Sequence, residues 1–160
     1  MKRNAISIFV VTVIVLAVCI FMPTRLVKDA NTAALQTVFY ERGVNEKYNG
    51  ASIVLNEDEK FALLTYLTSC RKYMTLNPVR NANNQPSTRK DSYEYLYISL
   101  YENDKYTDIH IKNGDCYVTI DSKSFRYHIS NEKQVVADVQ SLLWAHLSEY
   151  VSRSAGLTAG

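Results

Sequence analysis

Between Tyr93 and Ile129 the chain changes character at every second residue, and this leaves little freedom of fold. Tyr93, Tyr95, Tyr97, Ser99 and Tyr101 alternate with Glu94, Leu96, Ile98 and Leu100. That is the period of a strand, whose successive side chains leave opposite faces. Residues 106–112 keep the pattern, with Ile109 and Ile111 on one face and Tyr106, Asp108 and His110 on the other. Asn113-Gly114 supplies the residues of a tight two-residue hairpin turn. Cys116, Val118 and Ile120 then oppose Tyr117 and Thr119. A turn near Asp121-Ser122-Lys123 leads to Phe125, Tyr127 and Ile129, which alternate with Arg126 and His128. Four strands joined by short turns predict an antiparallel sheet.

The flanking segments complete the layer. Residues 35–40 and 51–55 are β-prone runs separated by Gly43, Asn45, Asn49 and Gly50, which suits a hairpin. Asn56 is placed to cap a helix, with Glu59 three residues on as the reciprocal partner. Leu63, Leu67, Cys70 and Met74 recur at helical spacing, and Asn77-Pro78 ends the pattern. Residues 77–92 form a 16-residue polar loop, long for a compact domain. After the sheet, Ser130-Asn131 is read as the cap of a last helix whose apolar stripe is Val135, Val136, Val139, Leu142, Leu143, Leu147 and Tyr150. The predicted class is α+β, an antiparallel sheet of hairpins with two amphipathic helices on one face.

The N-terminus is of a different kind. Ala5 to Met22 is an 18-residue stretch without charge, between Lys2-Arg3 and Pro23. A membrane-crossing helix needs about 20 apolar residues, from about 17 upward, whereas the apolar part of a cleaved signal is about 7–15. The chain is therefore divided into a signal anchor or transmembrane segment (1–28), a linker (29–34, the stretch from 23 being already linker-like), one extracytoplasmic domain (35–151) and a flexible tail (152–160). The alternative is secretion after signal cleavage, with Thr32-Ala33-Ala34 the nearest cleavage site. Leu16-Ala17-Val18-Cys19 only partly matches a lipoprotein signal, because Val18 is not small. Short N-terminal tails stay inside, which puts the domain outside the cell membrane as a single-pass protein.

Of 18 basic residues, Lys2, Arg3, Arg25 and Lys28 flank the apolar stretch; from Asp29 onward 14 basic residues face 16 acidic ones. No basic footprint for nucleic acid remains, and none is expected as a partner. Membrane, through residues 5–22, and a protein or glycan of the cell envelope are the expected partners.

Two helices can cover only one face of the sheet. The other carries Tyr93, Tyr95, Tyr97, Tyr101, Tyr106, Tyr117, His110 and His128, the candidate ligand-binding residues, together with Asp108, Thr119 and Arg126. Tyrosine offers a flat ring and a hydroxyl at low entropy cost, which suits recognition. It is also a favoured strand residue that stabilises a sheet face without any ligand. Asp108, His110 and His128 could serve an envelope hydrolase, but their spacing matches no zinc signature. His146, in the stripe of the last helix, reads as a border histidine with a local partner. There is no phosphate loop, dinucleotide fingerprint, G-x-S-x-G or H-E-x-x-H. The chain is read as a non-enzymatic binding or accessory domain with no cofactor and no metal. A third reading makes it an inhibitor or immunity-type protein that inserts loop 77–92 into a target. Cys70 and Cys116 both point toward the proposed core, where they form either a disulfide or two buried thiols.

The β-prone run to Tyr40, the segment Ile53-Val54-Leu55-Asn56-Glu57-Asp58-Glu59, the polar loop ending Ser87-Thr88-Arg89-Lys90-Asp91-Ser92 and the tyrosine-rich hairpins together resemble small extracytoplasmic domains of Gram-positive bacteria that are lipoproteins or singly anchored. The resemblance covers 35–129. It implies fold and location but no activity, because fold alone does not license function.

Overall fold

The computed structural model describes residues 2–44, 47–78, 92–121 and 125–148. An N-terminal helix, α1 (Lys2–Phe21), precedes a short strand, β1 (Thr24–Arg25). A hairpin of β2 (Ala34–Val44) and β3 (Lys47–Ser52) leads to α2 (Glu57–Ser69). Then come β4 (Arg71–Pro78), β5 (Ser92–Glu102), β6 (Lys105–Lys112), β7 (Asp115–Ile120), β8 (Phe125–Ile129) and α3 (Glu132–Leu142). The eight strands form one sheet in the order β1-β4-β8-β7-β6-β5-β2-β3, and every pairing is antiparallel. The α+β class read from the sequence holds.

The tight turns follow from residues that tolerate a left-handed backbone. Asn113 and Gly114 take φ 52° and 87° between β6 and β7, and Asn103 and Asp104 take 53° and 57° between β5 and β6. Their twist matches that of the strands they join, so β5, β6 and β7 run as a continuous meander.

Helix α2 starts where the sequence says. The Glu59 backbone N–H donates to Asn56 Oδ1 at 2.9 Å, and the Asn56 N–H donates to Glu59 Oε2 at 2.9 Å. Leu63, Leu64 and Leu67 are buried beneath it in one core with Val135, Val136 and Val139 of α3 and with Val38, Leu96, Ile98, Leu100, Ile109, Ile111, Val118 and Ile129 of the sheet. Each such side chain contributes about 1.5–3 kcal/mol by leaving water. Both helices thus bury the same face. Tyr66 Oη donates to Asp138 Oδ2 (2.8 Å) and ties the two helices together. His146 finds its partner in the Glu59 carboxylate at 3.0 Å.

The end of α2 differs from the sequence reading. The helix stops at Ser69, and Cys70 is already extended (φ −73°, ψ 145°). Thr68 and Ser69 hydroxyls donate to the carbonyls of Thr65 and Tyr66 at 2.7 and 2.6 Å, local bonds that compete with helix propagation. Met74 therefore lies not on a helix stripe but in β4, paired with Tyr127. Cys70 remains buried, as does Cys116, and both are free thiols rather than a bridge. Burial raises the pKa of each thiol, that of Cys116 to about 12 with Glu132 adding to the effect.

Three further readings change. The stretch from Pro23 is more than connection: β1 pairs with β4, and Leu26 and Val27 are core residues. Asn131 occupies the cap position of α3 in a left-handed conformation without a side-chain bond, and its carbonyl takes the Gln134 and Val135 N–H groups. The helix breaks at Leu143, so Leu143 and Leu147 turn inward while Leu142 is exposed. Tyr150, the greater part of loop 77–92 (79–91) and the tail 152–160 lie outside the described residues.

In α1 the described side chains, at 8–15, 17 and 18, are all exposed, Phe9 by 69%. Among the described residues no helix is long and apolar enough to cross a membrane.

Candidate functional site

Strand register brings one ring from each of six strands into a single file across the sheet. Phe39 pairs with Tyr97, Tyr97 with His110, and His110 with Tyr117. The Val118–Tyr127 pair sets Tyr117 beside His128, and His128 pairs with Tyr73. The file Phe39-Tyr97-His110-Tyr117-His128-Tyr73 therefore crosses β2, β5, β6, β7, β8 and β4. Five steps of about 4.8 Å make it roughly 24 Å long. It lies on the face opposite α2 and α3, because its strand neighbours Leu96, Ile98, Ile109, Ile111, Val118 and Ile129 are the buried ones.

Within the file, three neighbouring pairs are in ring contact. His110 stacks on Tyr117 with centroids 4.6 Å apart and planes 11° from parallel. Tyr97 meets His110 tilted at 5.2 Å, and Tyr73 stacks on His128 at 5.9 Å. Tyr95, one row along, stacks on both Tyr97 (6.4 Å) and His110 (6.2 Å). Offset and tilted arrangements in this range are favourable by about 0.5–1.5 kcal/mol per pair beyond burial. Tyr95, Tyr97, His110 and Tyr117 are thus preordered as one cluster, and a ligand laid on them need not freeze these rings first.

Hydrogen bonds fix the polar atoms on either side. His110 Nδ1 is 2.9 Å from Tyr95 Oη, and its Nε2 is 3.3 Å from Thr119 Oγ1. Asp108 Oδ1 accepts from Tyr97 Oη at 3.0 Å and from Ser99 Oγ at 2.7 Å. Burial, reinforced by Asp108, raises the Tyr97 pKa above the ordinary tyrosine value. One flank of the file is the row Thr37, Ser99, Asp108, Thr119; the other is Glu41, Tyr95, Lys112, Asp115. A flat apolar strip with polar margins on both sides can stack a ring and hydrogen-bond its substituents at once.

Of the candidates read from the sequence, Tyr95, Tyr97, His110, Tyr117 and His128 come together here. Tyr101 and Tyr106 form a separate pair with centroids 5.0 Å apart at the β5–β6 turn, where Tyr101 Oη donates to Asp104 Oδ1 at 3.1 Å. Tyr93 is paired with Gly43 in the sheet, and its side chain, like that of Arg126, lies outside those described. Asp108, His110 and His128 do not form one cluster: β7 and Tyr117 stand between the two histidines. Among the described residues no group of three or more His, Cys, Asp or Glu could hold a metal ion.

Phe39 and Tyr73 were not legible as site residues. Tyr73 sits in the stretch that the helical spacing up to Met74 predicts as helix, although the alternation Arg71-Lys72-Tyr73-Met74 after Cys70 signals a strand. Phe39 depends on β2 lying beside β5, a long-range pairing that no local pattern encodes. No protein-family model matches this chain, and no curated protein or solved structure is significantly similar to it.

Proposed function

We propose that the chain is a membrane-anchored binding or accessory domain that works outside the cell and receives a glycan or protein of the envelope on its aromatic file. The six-ring file with hydrogen-bonding margins carries this reading. Flat, rigid, amphipathic surfaces rich in tyrosine are the kind that recognition sites use. The anchor is supported by the uncharged stretch Ala5–Met22, all of which but Met22 lies within α1. Ile8, Phe9, Val11 and Ile14 are exposed around that helix. A helix that is apolar on every side is stable in lipid or in a core, not in water.

The test uses the full chain in a neutral detergent with insoluble envelope material as bait. Replacing Tyr95 and Tyr97 by Ser removes two rings but leaves the buried face untouched. Retention should fall by about fivefold or more, since two lost ring contacts are worth on the order of 1–3 kcal/mol, while the circular dichroism spectrum is unchanged. Equal retention of the variant and the parent chain would sink the proposal.

A further inference from the structure

Where β1 joins β4, at the foot of α1, the fold leaves a pocket of about 400 Å³. Four basic side chains line it: Arg25, Lys28, Lys72 and Lys105. They face one carboxylate, Glu102, an excess of three positive charges. Glu102 is already committed, because its oxygens accept the backbone N–H groups of Lys28 (3.1 Å) and Asp29 (2.9 Å). The remaining walls include Leu26, Met74, Ile120 and Tyr127, which give the cationic pocket an apolar side.

Lys72 is the unusual member. Its ammonium donates to the carbonyls of Arg25 and Leu26 at 2.8 and 3.0 Å. Those are dipoles rather than countercharges, and a third ammonium proton remains. Among the described residues no carboxylate lies within 4.0 Å of it. A cation held this way is costly until an anion arrives. Met22 and Thr24, one and three residues beyond the end of α1, also line the pocket.

We propose that this pocket binds a phosphate group, carried on an anionic lipid headgroup where α1 leaves the bilayer. The headgroup as source rests on the anchor reading given above; the phosphate chemistry rests on the pocket alone. Phosphate oxygens would accept from Lys72, Lys28 and Lys105, while the apolar wall would take the adjoining glycerol and first methylenes.

The experiment is native mass spectrometry of the full chain in neutral detergent, titrated separately with phosphatidylglycerol, phosphatidylcholine and inorganic phosphate. Phosphatidylglycerol should occupy the chain about tenfold more than phosphatidylcholine, as expected for charged hydrogen bonds worth about 1.5–3 kcal/mol. Lys72→Met should erase the preference, and so should the double variant Lys28→Gln/Lys105→Gln, which leaves the buried lysine in place. Lys133→Gln, on α3, should not. Saturable binding of inorganic phosphate that competes with the lipid and needs Lys72 also supports the phosphate site, and phosphate binding without lipid binding assigns it to a free phosphate. If neither binds, or the preference survives both pocket variants, the proposal is overturned. A chain that fractionates away from membranes but still binds phosphate through Lys72 would remove the anchor reading and leave the pocket standing.

Discussion

Burial brings the Lys72 pKa to about 8, below the ordinary lysine value of 10.5, with Lys28 pushing the same way and Glu102 opposing. Below about pH 8 both folded and unfolded chains carry this charge, and the fold bears the full cost of burying it. Between about pH 8 and 10.5 the unfolded chain holds a proton that the folded chain has lost, so this residue's contribution to stability rises with pH. Other groups run the opposite way over the same range. Burial raises Cys116 and Tyr40 to about 12, so they stay protonated in the fold after the unfolded chain has lost its protons. Subtraction isolates the lysine. In urea melts in detergent, the parent chain should gain on Lys72→Met by at most about 3 kcal/mol between pH 8 and 10.5. A difference that stays flat across that range would mean Lys72 is not desolvated as the geometry implies.

At the scale of elements, the Asn56–Glu59 capping box is the most local device in the fold, and its disruption has a defined cost. Asn56→Ala leaves the Glu59 N–H without its acceptor and should lower stability by about 1 kcal/mol in thermal or urea unfolding. No measurable change would show that the first turn is held by packing instead. This box was legible because it lies within four residues of sequence. The β6–β7 hairpin was legible for the same reason, through Asn113-Gly114. The boundary between α2 and β4 was not. Cys70 and Met74 continue the helical spacing of Leu63 and Leu67, so periodicity alone carries the helix through Met74. What decides against it is tertiary: β4 fills the place between β8 and β1, and its pairing satisfies a strand edge that a helix would leave open. The aromatic file inherits the same asymmetry. Tyr95, Tyr97, His110 and Tyr117 follow from local alternation and a tight turn, whereas Phe39 and Tyr73 enter through strands brought from distant segments.

For the whole molecule, the sheet order places the two proposed surfaces differently with respect to α1. β1 follows α1 directly and pairs with β4, so the cationic pocket sits at the edge of the sheet nearest the helix. The aromatic file begins at Tyr73 on that same β4 but crosses to β2, six strands in all, and so leads away from the edge next to α1. A chain held at a bilayer by α1 would set its basic pocket against the headgroups and extend the file outward, toward material outside the cell. This arrangement has a direct consequence for topology. In intact cells expressing the full chain with a C-terminal tag, added protease should remove the tag from the membrane fraction without lysis, because the residues after α1 would be outside. A tag that resists protease until the cells are lysed would put the domain in the cytoplasm, and the file could not then serve an envelope ligand. A shortened tagged chain in the medium would show that the apolar stretch is cleaved. The file would keep its reading as a binding surface in that case, and the lipid source for the phosphate pocket would fall.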